Sequence, residues 1–314
     1  MKKALILLIT ILIMTLVLSS CHVITQPAET KETKSGSLSQ SETSDETQDN
    51  TETFSDNDPS LLYIDYLKAG KADCIVIRQN GLTIMIDTGL NTTYSSASSY
   101  LDQLGIERID YMIITHFDND HIGSAGQLIQ NYEVGELIVP DYVRDSQYYN
   151  AMIDAAEEKS VTLTRLADDK TIESGELTIA INPTHLYDEV ELDPDNTDDS
   201  VDNDFSLITT LRFGANRFLF LGDAEKARLE EFMNTSTLSV YQAIKLPHHG
   251  DYYKAIKTLL DKTVPEAVVT CIDNETNMDA SLVTLLKEKG IPSYLTCDGT
   301  VRLISDGKTV SIDQ

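Results

Sequence analysis

The sequence predicts an α/β fold that contains two mixed sheets. Strand-like apolar runs alternate with helical patterns through residues 59–314, and several strand-like runs follow one another directly in the first part of this region. The polar motifs described below span the whole region and must converge, so we expect a single two-layered domain rather than two domains. About 255 residues are enough for a sizeable core.

The individual elements follow from apolar periodicity. Short apolar runs predict strands at 61–66, 73–78, 82–87, 110–115, 136–140, 177–181, 206–213, 216–222, 242–246, 266–271, 292–296 and 300–304. Apolar residues at helical spacing predict helices at 94–104, 121–132, 145–158, 224–233, 252–261 and 279–289. We find no internal repeat of 20–50 residues, and after the N-terminus no segment reaches membrane-spanning length.

The segment 115–123, Thr-His-Phe-Asp-Asn-Asp-His-Ile-Gly, is the most informative part of the chain. It follows an apolar run that is typical of a buried strand, so one short turn presents the side chains of His116, Asp118, Asp120 and His121. Mixed nitrogen and oxygen ligands suit zinc, manganese or iron, and two such ions can activate a water for hydrolysis. The simpler alternative is a solvated acidic turn that happens to hold two of the six histidines.

Three other apolar runs end in polar residues of the same kind. Asp87 ends one run at a glycine turn, Asp223 follows another, and the pair His248 and His249 follows a third. In α/β folds the sites lie at the C-terminal ends of strands, so these side chains are expected to meet there. A single strand-end carboxylate is weak evidence, whereas four such strand ends in one chain favour a metal centre.

The order Asp-x-Gly, His-x-x-x-Asp-His, Gly-Asp and His-His-Gly resembles the metallo-β-lactamase-fold hydrolase superfamily. Within it, the chain is most similar to the branch typified by the nuclease-like domain of the bacterial DNA-uptake protein ComEC, in residues 65–73, 203–207 and 245–250 and in the Asp at position 118. The resemblance covers about residues 60–314. It implies an αββα sandwich, with the two mixed sheets face to face and the helices outside.

The resemblance also implies a centre for two divalent metal ions, Zn or Mn. One ion would be held by His116 and Asp118, and the other by Asp120, His121 and one of the paired histidines, which we assign to His248. Asp223 would bridge the ions, and a hydroxide between them would attack the substrate. Asp87 would orient a ligand imidazole, and the spare His249 would protonate the leaving oxygen or hold a phosphate. The carboxylate of Asp118 in place of an imidazole tilts the metal selectivity towards manganese.

Several departures from the family pattern leave this ligand set intact. The usual Gly-Gly is Gly123-Ser124, the paired histidines are followed by residues 251–253 (Asp-Tyr-Tyr) rather than Ser, and Asp279-Ala280 replaces a His-Pro pair. The wider superfamily has a further histidine ligand for the first metal. Between His121 and Asp223 only His185 could supply it, although a loop histidine is more often simply solvated.

The substrate is less well determined than the centre. A two-metal site with a bridging Asp suits phosphodiesters, and the resembling branch implies a nuclease; β-lactamases proper carry a Cys where Asp223 stands. Against DNA stands the formal net charge of −27, since nucleic-acid binders normally present a basic patch. Lys254, Lys257 and Lys262 form one candidate basic strip, although an ordinary solvated helix face is the more usual explanation of such lysines.

The N-terminus predicts an extracytoplasmic, lipid-anchored protein. A short positive region, a hydrophobic stretch and small residues before Cys21 form a signal peptide over residues 1–20. The Leu-Ser-Ser-Cys ending resembles the bacterial lipobox, which implies cleavage before Cys21, a lipid on its sulfur and attachment to the cell membrane; an uncleaved single-span anchor is the alternative. Residues 21–58 are acidic and polar, and we expect a disordered tether there. The metallo-hydrolase domain would then span residues 59–314.

Two further sets of predictions concern the state of the cysteines and the alternative functions. Cys74, Cys271 and Cys297 lie in or beside apolar runs and are expected to be small buried residues; a Cys271–Cys297 bridge is an alternative that neighbouring strands rarely permit. One rival function is hydrolysis of a small phosphoester, lactone or thioester, such as a cell-wall choline phosphoester, near Tyr252 and Tyr253. A second is a binding lipoprotein without catalysis. The sequence indicates no protein partner.

Overall fold

The computed structural model describes residues 58–187 and 199–314, and these form two mixed sheets with helices on both outer faces. The predicted signal peptide, Cys21 and nearly all of the tether lie outside the described residues. Within the described residues, no helix is long and apolar enough to cross a membrane.

The first sheet has eight strands in the order β15-β14-β1-β2-β3-β4-β5-β6. The antiparallel pairs β14–β15, β1–β14, β1–β2 and β2–β3 form one half, and the parallel pairs β3–β4, β4–β5 and β5–β6 form the other. The strands are β1 Leu62–Tyr66, β2 Cys74–Gln79, β3 Leu82–Thr88, β4 Arg108–Ile113, β5 Glu133–Pro140, β6 Thr162–Leu166, β14 Val301–Ser305 and β15 Val310–Asp313.

The second sheet has seven strands in the order β13-β12-β11-β10-β9-β8-β7. Strands β10 to β13 are parallel, and β7 to β10 are joined by antiparallel pairs. The strands are β7 Lys170–Ser174, β8 Leu177–Asn182, β9 Ile208–Phe213, β10 Asn216–Phe220, β11 Ala243–Lys245, β12 Ala267–Thr270 and β13 Ser293–Leu295.

Alternation along the strands explains the four layers. In β2, Ile75 and Ile77 belong to the core between the sheets, whereas Cys74 and Val76 face the helices on the outer side. Both faces of the central strands are therefore buried, which is why these strands are continuously apolar. The helices are α1 Tyr94–Gln103, α2 Asn119–Ile122, α3 Ala125–Asn131, α4 Gln147–Glu158, α5 Asp199–Asp204, α6 Lys226–Thr235, α7 Lys254–Thr263 and α8 Ala280–Lys289.

Two outer cores complete the sandwich. Leu101, Leu128 and Met152, which lie on α1, α3 and α4, cover the first sheet, while Phe232, Leu259 and Leu282 on α6, α7 and α8 cover the second. The αββα arrangement predicted from the resemblance is confirmed. Cys74, Cys271 and Cys297 are free, so the Cys271–Cys297 bridge is not formed.

The predicted elements are present with shifted ends; helix α5 was not predicted, and the missed strands have a common cause. Strands β6, β7 and β15 were not predicted, and each is the edge strand of a sheet. Edge strands bury less of their surface, so their apolar pattern is weak; β15, for example, alternates half-buried and exposed residues. The single helix predicted at 121–132 is two helices, α2 and α3, separated at Gly123-Ser124.

Candidate metal centre

Four strand ends deliver the predicted side chains to one edge of the sandwich. Asp87 lies in β3, and the segment from Thr115 to His121 follows its parallel neighbour β4. Asp223 follows β10, and the paired histidines follow its parallel neighbour β11. The Leu207 N–H donates to the Thr115 carbonyl at 2.9 Å and so joins the two sheets beside this edge.

Each of three buried imidazoles is fixed through its Nδ1 atom. His121 Nδ1 lies 2.8 Å from Asp87 Oδ2, and His249 Nδ1 lies 2.8 Å from the Cys271 carbonyl oxygen. His116 Nδ1 lies 3.0 Å from Thr115 Oγ1, whose own proton is donated to Asp87 at 2.8 Å. In each case the partner oxygen acts as an acceptor, so Nδ1 carries the proton and Nε2 is left as the coordinating nitrogen.

The three Nε2 atoms are buried, converge, and have no hydrogen-bond partner among the described residues. His121 Nε2 and His249 Nε2 each lie 3.2 Å from Asp223 Oδ2, and His249 Nε2 lies 3.2 Å from Asp120 Oδ2. Among the described residues, ligand atoms within 4.8 Å of one another form the groups His116–His121–Asp223, Asp120–His121–His249, Asp73–Asp87–His121 and Asp73–Asp223–His249. We call His116, Asp120, His121, Asp223 and His249 the buried cluster.

The carboxylates of the buried cluster are balanced by positive charge on neighbouring side chains. Burial alone lowers the pKa of an imidazole, but Asp223 and Asp87 outweigh it and raise the pKa of His121 well above its usual value. In the same way, Asp223 and Asp120 raise the pKa of His249 to about 9 against the effect of burial. Burial raises a carboxyl pKa, yet His249, His121 and Lys245 hold the pKa of Asp223 well below its usual value. Without a metal, protons on imidazole therefore balance these carboxylates, and the donor set fits a divalent ion that would displace them.

Two residues beneath the cluster were missed by the sequence predictions. Asp73 is buried, and its Oδ1 lies 3.8 Å from His249 Nδ1. Its other oxygen forms an ion pair with the buried ammonium group of Lys245. Both residues occur in the segments that carry the family resemblance, 65–73 and 245–250, and this was the signal that could have found them.

Asp118 and His185 are not part of the buried cluster. Asp118 Oδ2 lies 3.6 Å from His116 Nε2, but Asp118 Oδ1 accepts a hydrogen bond from Arg144 at 3.0 Å, and Asp118 belongs to none of the candidate ligand groups. His185 is exposed in the loop after β8, where its backbone N–H donates to Glu231 at 2.7 Å. His185 therefore lies outside the candidate ligand groups.

The structure places the paired histidines differently from our ligand assignment. His249 belongs to the buried cluster, whereas His248 points to a partly exposed set of side chains. His248 Nδ1 lies 2.8 Å from the Tyr253 hydroxyl, 3.5 Å from Asp251 Oδ2 and 3.6 Å from Glu225 Oε1. We call Glu225, His248, Asp251 and Tyr253 the rim. In the pair, His249 is the candidate ligand because its free nitrogen faces the carboxylates.

Backbone strain is concentrated at the same place. Six non-glycine residues in the described part of the chain have positive φ, and three of them are Asp87 (φ 56°), His248 (47°) and His249 (50°). Such conformations cost of order 1–3 kcal/mol each and persist only where the surroundings enforce them. Gly222, with φ 52°, lies where a Cβ atom would come within 2.9 Å of Ser206 Oγ, so glycine is required directly before Asp223.

The fold and the buried cluster define a metallo-hydrolase-type centre, and the sequence comparisons agree. The family model for the metallo-beta-lactamase superfamily matches residues 67–272, and the chain belongs to this superfamily.

Two curated relatives are similar to this chain over about two thirds of its length. ComE operon protein 3 of Bacillus subtilis is 24% identical over 225 residues, which is 66% of this chain and 28% of that protein. Recombination protein 2 of Haemophilus influenzae is 25% identical over 211 residues, which is 66% of this chain and 24% of that protein. The chain thus spans about a quarter of the length of these relatives.

Two further similarities are more limited. Endoribonuclease ysh1 of Schizosaccharomyces pombe is 31% identical over 80 residues, which is 23% of this chain and 10% of that protein. The crystal structure of the metallo-beta-lactamase fold protein YhfI from Bacillus subtilis matches with a TM-score of 0.50 and 10% identity, and covers 80% of this chain and 100% of that one. At this identity the structural likeness supports the fold alone.

Proposed function

We propose that the protein is an extracytoplasmic, lipid-anchored, two-metal hydrolase that cleaves phosphodiester bonds, with DNA as the leading substrate. The observation that carries the proposal is the convergence of three buried Nε2 atoms, each without a hydrogen-bond partner, on the carboxylates of Asp120 and Asp223. Buried nitrogen atoms of this kind are unfavourable unless a ligand occupies the space between them.

The donor set divides into two metal positions. His116 would hold one ion together with Asp118, once Asp118 turns from Arg144, and Asp120, His121 and His249 would hold the other. Asp223 would serve both, because it belongs to one ligand group with His116 and its Oδ2 lies 3.2 Å from His249 Nε2. Two divalent ions, zinc or manganese, supply Lewis acidity towards a phosphoryl oxygen and lower the pKa of a water molecule towards neutrality.

The residues around the cluster hold these ligands and move protons. Asp87 keeps the proton of His121 on Nδ1, and the Cys271 carbonyl does the same for His249, so the free nitrogens stay directed inward. His248, held by the Tyr253 hydroxyl and only 22% exposed, stands where it could protonate a leaving oxygen or hold a phosphate. This replaces His249, to which we assigned that role from the sequence.

The choice of DNA rests on the relatives, and the charge opposes it. The chain resembles proteins named for the ComE operon, for recombination and for endoribonuclease activity. Against DNA stand 51 acidic and 24 basic residues in the whole chain and the carboxylates of Glu225 and Asp251 in the rim. A polyanion would approach this rim against electrostatic repulsion.

The rim favours one second candidate, a small phosphoester with a positively charged group. Tyr253 presents a half-buried aromatic ring beside the carboxylates of Glu225 and Asp251, and this combination suits a quaternary ammonium group such as that of a choline phosphoester. The lactone and thioester alternatives have no such support in the geometry.

Location is proposed from the N-terminal sequence. The positive residues, the hydrophobic stretch and the Leu-Ser-Ser-Cys ending support export and attachment of a lipid at Cys21. Radiolabelled palmitate or mass spectrometry of the N-terminal peptide tests this part. A Cys21→Ser variant is expected to lose both the lipid and the membrane fraction.

Activity is tested with the purified protein loaded in turn with manganese and with zinc. Linear DNA and bis-p-nitrophenyl phosphate are offered in parallel, with and without a chelator. Metal-dependent cleavage of DNA would support the nuclease; turnover of the small diester alone would favour the second candidate. No turnover of either would contradict the phosphodiesterase and give weight to a binding role.

The variant Asp120→Ala connects the activity to the cluster. We expect turnover to fall by more than the roughly 10–100-fold that loss of an outer partner of a metal ligand costs. The control is Asp313→Ala, which removes an exposed carboxylate on the edge strand β15 and is expected to leave turnover unchanged. Full activity of Asp120→Ala would overturn the assigned centre.

A further inference from the structure

Lys245 is a fully buried lysine at the end of a central strand. It lies in β11, where it pairs with Phe220 of β10 and with Val269 of β12, so the backbone on both sides is held by the sheet. Its Nζ atom donates to the Gly222 carbonyl at 2.9 Å and forms an ion pair with Asp73. A buried ammonium group is tolerated only with such partners, and this one is directed at the residues beneath the metal centre.

The two carboxylate oxygens of Asp223 have different partners, because only one of them lies beside the ammonium group of Lys245. Asp223 Oδ1 lies 3.4 Å from Lys245 Nζ, while Oδ2 lies 3.2 Å from both His121 Nε2 and His249 Nε2. The Asp223 N–H also donates to Ser206 Oγ at 3.0 Å. The carboxylate is thus fixed at its backbone and at one oxygen, which leaves the other oxygen for the cluster.

Asp73 supplies the counter-charge that keeps the ammonium group in place. It is buried, its backbone N–H donates to the Asp120 carbonyl at 3.1 Å, and its carbonyl accepts from the Gly89 N–H at 2.8 Å. Without Lys245, the buried carboxylate of Asp73 would lose its ion-pair partner and stand beside Asp223 as a second negative charge, which is strongly unfavourable. Since Lys245 is fully buried, it does not reach a substrate.

We propose that Lys245 is a positioning residue of the metal centre, which turns Asp223 so that Oδ2 alone serves the metals and which anchors this arrangement on Asp73. The inference rests on the proposed metal-dependent function. In this role the ammonium group does more than neutralise Asp73. Its contact with Asp223 Oδ1 would also orient the Asp223 carboxylate.

The test compares Lys245→Met, Asp73→Asn and the double variant with the wild-type protein. The double variant removes a cation and an anion together and keeps nearly the same volume, so it is charge-balanced even if Lys245→Met does not fold. The readouts are the thermal midpoint, the number of bound Mn²⁺ or Zn²⁺ ions, the dissociation constant from competition with a chelating dye, and the spectrum of the Co²⁺-loaded protein.

A positioning role and a structural role give different results. We expect the double variant to regain a thermal midpoint close to that of the wild type, yet to bind metal at least about tenfold more weakly, on the scale for lost outer partners, with an altered Co²⁺ spectrum. A double variant with wild-type affinity and spectrum would overturn the inference. The proposed function is tested separately: if the wild type binds metal but cleaves no phosphodiester, that function fails, while the affinity comparison still decides the role of Lys245.

Discussion

His249 and His248 are consecutive residues with similar positive φ angles, and their side chains lie in opposite surroundings. His249 is 2% exposed, is tied through Nδ1 to the Cys271 carbonyl and directs a free nitrogen into the buried cluster. His248 is 22% exposed and is surrounded by the hydroxyl of Tyr253 and the carboxylates of Asp251 and Glu225. One imidazole therefore faces the candidate metal ligands, and the other faces the partly exposed rim.

The same contrast separates the buried cluster from the rim. In the cluster, each imidazole has one fixed nitrogen and one free nitrogen, and the backbone lies in turns and short helices that follow sheet strands. In the rim, the side chains are partly exposed and contact one another through longer distances. Under the proposed function, the cluster would determine the kind of chemistry, whereas the rim would determine which molecules reach it.

The largest expected effect comes from replacing each of the two histidines in turn by alanine. His249→Ala should lose bound metal and turnover together, because it removes a ligand atom that faces Asp120 and Asp223. His248→Ala should keep the metal and lose turnover by about 10²–10⁴-fold, the usual range for a proton-transfer group. Metal content by atomic emission and kcat on bis-p-nitrophenyl phosphate measure both effects. Loss of metal in His248→Ala alone would restore our first assignment of the ligand.

A smaller effect is expected from the residues that hold the cluster without binding metal. Asp87→Asn weakens the acceptor for His121 Nδ1, and the expected loss of metal affinity is roughly 10–100-fold. Thr115→Ser is the matched control, because it keeps the hydroxyl that links His116 to Asp87. Equal affinities for Asp87→Asn and wild type, from chelator competition, would show that Asp87 is not needed to orient the imidazole.

Metal affinity should rise with pH across the neutral range. The raised pKa values of His121 and His249, the latter about 9, mean that protons must leave before a metal binds. Each proton displaced makes the affinity increase about tenfold per pH unit below that pKa. Calorimetry of Mn²⁺ binding in buffers of different ionisation enthalpy measures the released protons directly. An affinity that is flat between pH 6.5 and 8.5 would contradict the protonated state of the cluster.

The metal-free protein should show the opposite trend in stability. Because the folded-state pKa of His249 lies above its usual value, its contribution to stability is complete below about pH 6.5 and is lost as the pH rises through about 9. Urea denaturation of the metal-free protein between pH 6 and 9.5 checks this sign, and a bound metal should abolish the decline.

The sequence was a good guide to the cluster and a poor guide to the rim, for physical reasons. Strand-end motifs placed His116, Asp120, His121 and Asp223 correctly together, since parallel neighbouring strands end at the same edge. Nothing local distinguished His248 from His249: both follow the same strand, and only the Cys271 carbonyl, 22 residues further on, decides which imidazole turns inward.

Charge pairs that span long stretches of sequence were missed for the same reason. Asp73 and Lys245 meet only because the two sheets pack face to face. The Arg144 hydrogen bond to Asp118 likewise depends on a contact that no spacing indicates. Edge strands β6, β7 and β15 escaped prediction because partial exposure removes the apolar pattern that identifies central strands.

The smallest effect should come from the rim, and it bears directly on the substrate. Replacing Glu225 and Asp251 by their amides removes two negative charges beside the site without changing shape, and should lower the KM for DNA by roughly three- to tenfold at low salt. The small diester, with a single charge, should respond less. The pair Glu288→Gln and Asp313→Asn, both exposed in the described structure and outside the rim, removes the same charge as a control.

If repulsion governs access, added salt should increase cleavage of DNA by the wild type, since screening shortens the reach of the rim charges to about 10 Å at 0.1 M. A decrease with salt would instead indicate a basic surface that attracts the polyanion, and the rim would then not control which substrate enters.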